Sequence, residues 1–440
     1  MTLPRLPPLL NRVLLMALLL IALLLPLGQV ENLLAERRGL QSEAAESVAA
    51  TTGQAQRLGG ALLVVPVDVP AYYGAKTVSH RRLLRILPDE LEASVQLQPE
   101  PRFRGIYEVM TFAATLKLRA SFDPSRLAQL AEDQGTGTIR WQEAKVLVPI
   151  SSPRGIRELS RSDFAGFPVK LLPEPTNYLA GISAAVNATP ADAQGPAVFE
   201  LDLVLGGTGR FSFMPLAANV QVDLQSPWPH PSFDGGYAPQ FREVTGGGFT
   251  ARWSVPEITR AVPPNWFDEE ISCDELGASD FGVRLLRPVD HYQRSYRAIH
   301  YAVLFIALTF GSLFLWEYTL GRRAGAPRLH AMHYLLVGIA LAVFYLLLIA
   351  LSEQLGFAIA YGLASLAMIT LLAVYLAGVM RSRATGSVAA GGFATLYGAL
   401  YLLVLSEDYA LLTGALGLFA ALALAMLTTR HLNWHAPGTS

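Results

Sequence analysis

The chain has 440 residues and a mass of 47.6 kDa, with 52% hydrophobic and only 16% charged residues and a mean hydropathy of +0.35; soluble domains carry about 25% charged residues. A net charge of −1 gives no basic field for nucleic acid, and a single cysteine, Cys273, excludes an intrachain disulfide and any Cys-x-x-Cys metal or redox site. The apolar excess is gathered into six stretches, which excludes an ordinary soluble enzyme.

Residues 1–12 form a tail with Arg5 and Arg12, and residues 13–30 hold the first apolar run, Val13–Leu27. The run ends in Pro26-Leu27-Gly28-Gln29-Val30-Glu31, which lacks the small-x-small pattern of a cleavage site. With Leu9 and Leu10 the segment approaches the ~20 residues needed to cross hydrocarbon, so it reads as an uncleaved anchor.

Residues 31–298 follow, with 26 basic and 31 acidic side chains between Gly28 and Ala298, a net charge of −5. Glu31–Arg57 is polar and alanine-rich and is expected to continue the anchor outward as a helix; a second short helical turn is expected near Pro124–Glu132. Most of the rest alternates with period 2. In Ala197–Leu205, Phe199, Leu201, Leu203 and Leu205 oppose Glu200 and Asp202; Lys145–Ile150, Arg210–Phe213, Asn219–Leu224 and Gly248–Val255 alternate likewise. Ile106–Leu118 is long enough for a central strand. Gly and Pro clusters at Gly206-Gly207, Pro227–Pro231, Gly246–Gly248 and Pro263-Pro264 punctuate these runs. The pattern implies a β-rich, mostly antiparallel domain, a sandwich or a barrel-like sheet. Cys273 is expected to be free or to bond intermolecularly.

Five further apolar segments complete the chain at 299–320, 330–351, 357–380, 388–405 and 409–429, before a tail at 430–440. Each is near 20 residues and almost uncharged, so six transmembrane helices are expected. Arg5, Arg12, Arg322, Arg323, Arg328, Arg381, Arg383 and Arg430 all fall on one side of that scheme, while the alternate short loops carry Glu353, Glu407 and Asp408. Positive-inside placement then puts both termini in the cytoplasm and leaves residues 31–298 exported, which in the bacterial inner membrane that the resemblance below implies is the periplasm.

Several blocks resemble one family. They are Arg102-Phe-Arg-Gly-Ile-Tyr107, Pro153-Arg-Gly-Ile156, Trp228-Pro-His-Pro-Ser-Phe233 with Gly235, and Gly248-Phe-Thr-Ala-Arg-Trp253. Tyr292, Arg297, the Tyr301–Phe310 run, His333-Tyr-Leu-Leu-Val-Gly338, Leu351-Ser-Glu353 and Glu407-Asp-Tyr409 continue the likeness, which covers nearly the whole chain after residue 30. The sequence resembles the bacterial inner-membrane protein family CreD; His300 stands where that family leads one to expect lysine. The resemblance implies a role in cell-envelope integrity and in tolerance to envelope stress or colicins, with expression under a CreB/CreC-type two-component system. It brings no catalytic residue and no cofactor.

The candidate functional residues are few. Tyr345–Tyr361 and Tyr401–Leu412 share Tyr-Leu-Leu and Leu-Ser-Glu, which suggests a parallel repeat of two hairpins. Their tips place Glu353, Glu407 and Asp408 at the outer rim, either ending helices in interfacial water or docking arginines such as Arg294 and Arg297; a bound cation is the remaining use. Glu317 lies within a turn of the inner end of its span, where an ionisable side chain is a functional candidate. It pairs with Arg322 or Arg323, or reaches interfacial water. Trp228 and His230, in a proline-stiffened Trp-Pro-His-Pro segment, either pack as a rigid loop or present Trp228 and Phe233 to a protein or glycan. His330 with His333 and His431 with His435 have helical spacing, but no cysteine or carboxylate accompanies them at ligand spacing, so no metal is expected. P-loop, Gly-x-Ser-x-Gly, His-Glu-x-x-His and Rossmann patterns are absent from the sequence.

The expectation is therefore a non-enzymatic envelope protein that touches the lipid bilayer and envelope proteins or glycans, but no nucleic acid. A small-molecule or ion transporter or channel built on the last five spans is the alternative. A membrane-tethered envelope hydrolase comes third.

Overall fold

A computed structural model describes residues 8–73, 76–133, 137–174, 179–189, 195–260, 262–268, 270–285, 291–320, 329–406 and 410–429. The chain divides into two compact units, Met1–Leu40 with Val289–Ser440, and Gln41–Pro288.

In the apolar unit, helix α1 (Pro8–Thr52) runs for 45 residues and carries Pro26 inside it. Leucines give way to Ala, Glu, Gln and Arg along it, all strong helix formers, so the helix outlasts its apolar half. It stops at Gly53, whose φ of +112° suits glycine and whose amide donates to the Ala49 carbonyl at 2.9 Å. Two short helices, α2 (Pro124–Asp133) and α3 (Cys273–Ala278), belong to the second unit. The first unit continues with α4 (His291–His300), α5 (Ala302–Leu320), α6 (Ala331–Leu355), α7 (Phe357–Val379), α8 (Arg383–Leu405) and α9 (Ala410–Thr429).

Among the described residues four helices, α1, α6, α7 and α8, are long and apolar enough to cross a membrane, or five if α4 and α5 count as one bent span. The axis bends by 46° there, about Tyr301, so helix begins eight residues before the expected start at residue 299. The last expected segment coincides with α9, a helix of 20 residues. Small residues set the packing: a Cβ on Gly338 would lie 2.3 Å from Leu23 Cδ1, and one on Gly386 would lie 2.8 Å from Ala377 Cβ. Close approach at small residues is the usual contact between membrane helices.

The second unit holds three sheets. The eight-stranded one runs in the order Phe241–Thr245, Gly248–Val255, Asn219–Ser226, Glu90–Arg104, Tyr107–Phe122, Ala197–Thr208, Ile156–Phe164 and Phe167–Pro168. Its pairings are antiparallel except that Asn219–Ser226 lies parallel to Glu90–Arg104. A seven-stranded sheet is built around Lys145–Pro149, Leu62–Tyr73 and Lys76–Ile86, and a four-stranded one around Arg210–Phe213 and Phe281–Leu285. Inward faces of all three meet in one core, with Leu116, Phe199, Leu203 and Val222 from the large sheet, Leu63, Val65 and Val148 from the seven-stranded one, and Phe211, Phe213 and Phe281 from the smallest. The other face of the seven-stranded sheet is covered as well, because Leu62, Val64, Leu147, Leu216 and Trp266 form a second core. This is a layered, mostly antiparallel arrangement of open sheets, with strands where the alternation predicts them.

Candidate functional site

Helix α6 ends in Leu351-Ser352-Glu353-Gln354-Leu355, and Gly356, at φ +74°, turns the chain straight into α7. The turn leaves the Glu353 side chain at the end of the bundle with 11% of its surface exposed. Two elements reach it. Tyr292, in the first turn of α4 and 1% exposed, donates its hydroxyl to Glu353 Oε1 at 3.1 Å. Arg37 of α1 brings its Nε to within 3.6 Å of the same oxygen. The neighbouring Arg38 donates to the Tyr292 carbonyl at 3.1 Å and lies 4.7 Å over the Tyr296 ring. Three helices far apart in sequence are thus tied through one carboxylate and one tyrosine.

The arginine seated on Glu353 is therefore Arg37, not Arg294. On α4, Tyr292 and Tyr296 share a face at i, i+4 spacing, and Arg294 falls on the opposite side, where its guanidinium lies 6.0 Å from the Phe357 ring. Glu407 and Asp408 lie outside the described residues, as do Arg322, Arg323, His431 and His435, so the second hairpin tip is not compared with the first.

Glu317, on α5, is 7% exposed and accepts the Tyr334 hydroxyl of α6 at 3.0 Å. Of its two expected uses, pairing with Arg322 or Arg323 falls on residues outside the described ones, while the burial turns the carboxylate into the bundle and not toward interfacial water; Phe310 stacks edge-on against Tyr334 at 5.7 Å. His330 and His333 cap the start of α6 instead of forming half of a metal site. The His330 amide donates to His333 Nδ1 at 3.1 Å and His330 Nδ1 accepts from Met332 at 3.4 Å. Among the described residues no group of three or more His, Cys, Asp or Glu could hold a metal ion.

Between these two ends the bundle is filled with aromatic rings. Phe344 meets Tyr345, Tyr361 and Tyr397 at centroid distances of 5.0, 5.7 and 4.8 Å, and Phe305 meets Tyr397 at 4.8 Å. Tyr361 donates to the Tyr397 carbonyl at 2.7 Å. The Tyr345 and Tyr397 hydroxyls are buried with no protein hydrogen-bond partner among the described residues. Buried hydroxyls left in this way are costly and mark a place for water or a small polar group.

In the sheet unit, Trp228 is clipped down by its own loop. Its Nε1 donates to the His230 carbonyl at 3.1 Å, its amide donates to Ser226 Oγ at 3.2 Å, and its ring packs half-buried on the core. Phe233 is spent internally too, edge-on to Phe249 at 5.5 Å and to Trp253 at 5.8 Å, so it is not held out to a partner; His230 stays exposed. One buried carboxylate of this unit is structural. Asp280, 8% exposed, takes Arg57 at 2.9 Å and Arg210 in a two-pronged pair at 3.0 Å, and these bonds raise the Arg210 pKa and hold its charge more firmly.

Sequence reasoning missed Arg37 and the part played by Tyr292 at the rim. The signal was available: Arg37 and Arg38 are basic residues just beyond the first span, on the side that the expected topology leaves poor in them, which calls for a partner carboxylate.

The family model and the curated relative point to the same family. The family model described as "Inner membrane protein CreD" matches residues 8–435. A curated relative, "Inner membrane protein CreD" of Escherichia coli (strain K12), is 32% identical over 427 residues, covering 94% of this chain and 91% of that one. Among solved structures, an M1 zinc metallopeptidase from Deinococcus radiodurans, crystallised with a Tyr-Ser-Ala substrate, matches 39% of each chain at 10% identity with a TM-score of 0.20, a likeness that carries no argument.

Proposed function

The chain belongs to the CreD family of inner membrane proteins, and from that premise we propose that it supports cell-envelope integrity and tolerance to envelope stress or colicins, without catalysis, through a periplasmic sheet domain. The observation that carries this reading is how the ion-pairing side chains are used. Asp280 and Glu353, which burial would make candidates for chemistry, are both held by arginines, and Glu353 serves to brace α1 against α4 and α6. A site so occupied supports a mechanical or recognition role better than turnover. In this reading six helices span the membrane, both termini are cytoplasmic, and the partners are envelope proteins or glycans.

The test is complementation of a deletion strain combined with in-cell photocrosslinking from His230 and from Ile258, which is 93% exposed. A defined envelope partner captured from these positions, with tolerance restored, is the expected result. If instead one exported Asp, Glu, Ser or His proves essential while abundance and folding stay normal, the protein is an enzyme and the reading is wrong. One observation favours a transporter as the second reading: the unpartnered Tyr345 and Tyr397 hydroxyls, buried in the interior of the apolar unit. A substrate or ion flux in proteoliposomes that Tyr345→Phe or Tyr397→Phe abolishes would move it to first place.

A further inference from the structure

On the outer face of the eight-stranded sheet, a groove of about 480 Å³ opens where the strand Asn219–Ser226 leaves the sheet. Pro227 follows that strand, and its register with Glu90–Arg104 ends at Gln96, so Gln98 runs on past its neighbour. The hairpin of Phe241–Thr245 and Gly248–Val255 walls the other side. It closes in because residue 248 is glycine, at φ +135°; a Cβ there would lie 2.6 Å from Pro227 Cα.

The side chains of the groove stand in a row across four strands. Glu243 is in register with Thr250, Thr250 with Gln225, and Gln225 with Gln96. Aligned residues of neighbouring strands share a face, so the row covers three strand spacings, about 14 Å. Gln98 joins it two residues along its strand, while Leu97 between the two glutamines turns into the core. Among the described residues, the side chains of Gln96, Gln98, Gln225, Thr250 and Glu243 take part in no hydrogen bond or ion pair. Farther along the same face the charged side chains are spent on one another: Arg252 donates to Asp223 at 2.6 Å, and Arg161 pairs with Asp163 and Glu200. The groove lining holds one carboxylate, Glu243, and no Lys, Arg or His.

We propose that this groove binds an uncharged saccharide chain. A glutamine amide offers two donors and an acceptor, and a sugar hydroxyl both donates and accepts, so the three amides and Thr250 are met hydroxyl by hydroxyl. Glu243 accepts from a pair of adjacent hydroxyls, in charge-assisted bonds that are the strongest in the site. An anionic ligand would meet Glu243 with no base to offset it, which disfavours nucleic acid and acidic glycans. An extended peptide joins a sheet through free backbone groups at an edge. At Thr250, Gln225 and Gln96 those groups lie between two paired neighbours, and only side chains are left to recognise a ligand. The inference deepens the reading above, in which envelope glycans are among the partners, and rests on its export of the sheet unit for access to them.

The test is saturation-transfer difference NMR on the full-length protein in nanodiscs, with maltotriose and with the trisaccharide of N-acetylglucosamine as neutral probes. At least one should receive saturation from the protein. For that probe, Gln96→Ala and Gln225→Ala should each raise Kd roughly twofold to tenfold, as the loss of one neutral hydrogen bond implies, and Glu243→Ala roughly tenfold or more. Gln221→Ala, exposed on the same strand as Gln225 but outside the groove, should leave Kd unchanged. Unaltered urea midpoints show that the variants fold. The inference is overturned if neither trisaccharide binds, if binding ignores Gln96, Gln225 and Glu243, or if a sulfated saccharide or an extended peptide displaces the neutral probe from the groove. Because purified protein is measured, failure here leaves the envelope-tolerance reading to its own complementation test, and failure of complementation leaves a measured saccharide affinity intact.

Discussion

Replacing Glu353 by alanine tests the rim assembly most directly. The substitution leaves the Tyr292 hydroxyl, in a residue only 1% exposed, without its acceptor. A hydrogen bond to a charged group contributes about 1.5–3 kcal/mol, and stranding the buried partner brings the loss to the upper end. The ion pair adds little, because Arg37 keeps 38% of its side-chain surface in solvent at a 3.6 Å separation; a screened pair of this kind is worth at most about 1 kcal/mol. The expected destabilisation is therefore roughly 2–4 kcal/mol for Glu353→Ala, with Tyr292→Phe close behind and Arg37→Gln below about 1 kcal/mol. In nanodiscs scanned at a fixed heating rate, this corresponds to a fall of roughly 5–15 °C for Glu353→Ala and a few degrees for Arg37→Gln. Glu353→Gln, which keeps an acceptor for Tyr292, should recover most of the loss. Should Arg37→Gln cost as much as Glu353→Ala, the ion pair and not the tyrosine hydroxyl would be holding the rim, and the reasoning from burial would fail.

Glu317→Ala should destabilise the apolar unit by about 2–3 kcal/mol through loss of the buried Tyr334 hydrogen bond, and a double-mutant cycle with Tyr334→Phe should show the two effects to be coupled and not additive. Gly338→Val places a side chain 2.3 Å from Leu23 Cδ1 and should cost about 1–3 kcal/mol of thermal stability; Leu23→Ala in the same chain should restore part of it. Acid should weaken the sheet unit. The Arg157 hydrogen bond holds the Glu100 pKa below the ordinary 4.5, and the Ser183 hydrogen bond does the same for Glu174. Stability from these two groups is fully present above pH 4.5 and is lost as pH falls through their lower folded values, so urea midpoints should drop in that range, and less so for Glu100→Gln. Alkaline-phosphatase fusions should be active after Leu58 or Thr245 and inactive after Arg323 or Arg381, and the reverse pattern would invert the topology.

Strands with one wet face were easy to read: Phe199, Leu201, Leu203 and Leu205 alternate because only one side of Ala197–Thr208 meets the core. Leu62–Tyr73 gave no such signal. Its successive residues Leu62, Leu63, Val64 and Val65 fall into two different cores, so the run is apolar throughout and carries no period. Pairing was hidden as well, since nothing local in Asn219–Ser226 announces a parallel neighbour 129 residues earlier. At the site, Glu353 was visible as an acidic residue at a helix tip. Its companions were not, because Arg37 lies 316 residues away and Tyr292 reaches it from a helix whose start had been set at residue 299. Glu317 was found by charge alone, but whether it faced water or protein depended on Tyr334, a contact made only once α5 and α6 pack together.

Where α1 enters the sheets there is no slack. A side-chain carbon added at Gly53, Gly155 or Gly206 would come within 2.3–2.9 Å of another backbone atom or of Gln56, whose amide nitrogen already donates to the Gly206 carbonyl at 2.8 Å. Hydrogen is the largest substituent these three positions accept, so random drift in sequence at these glycines should be purged for want of space alone.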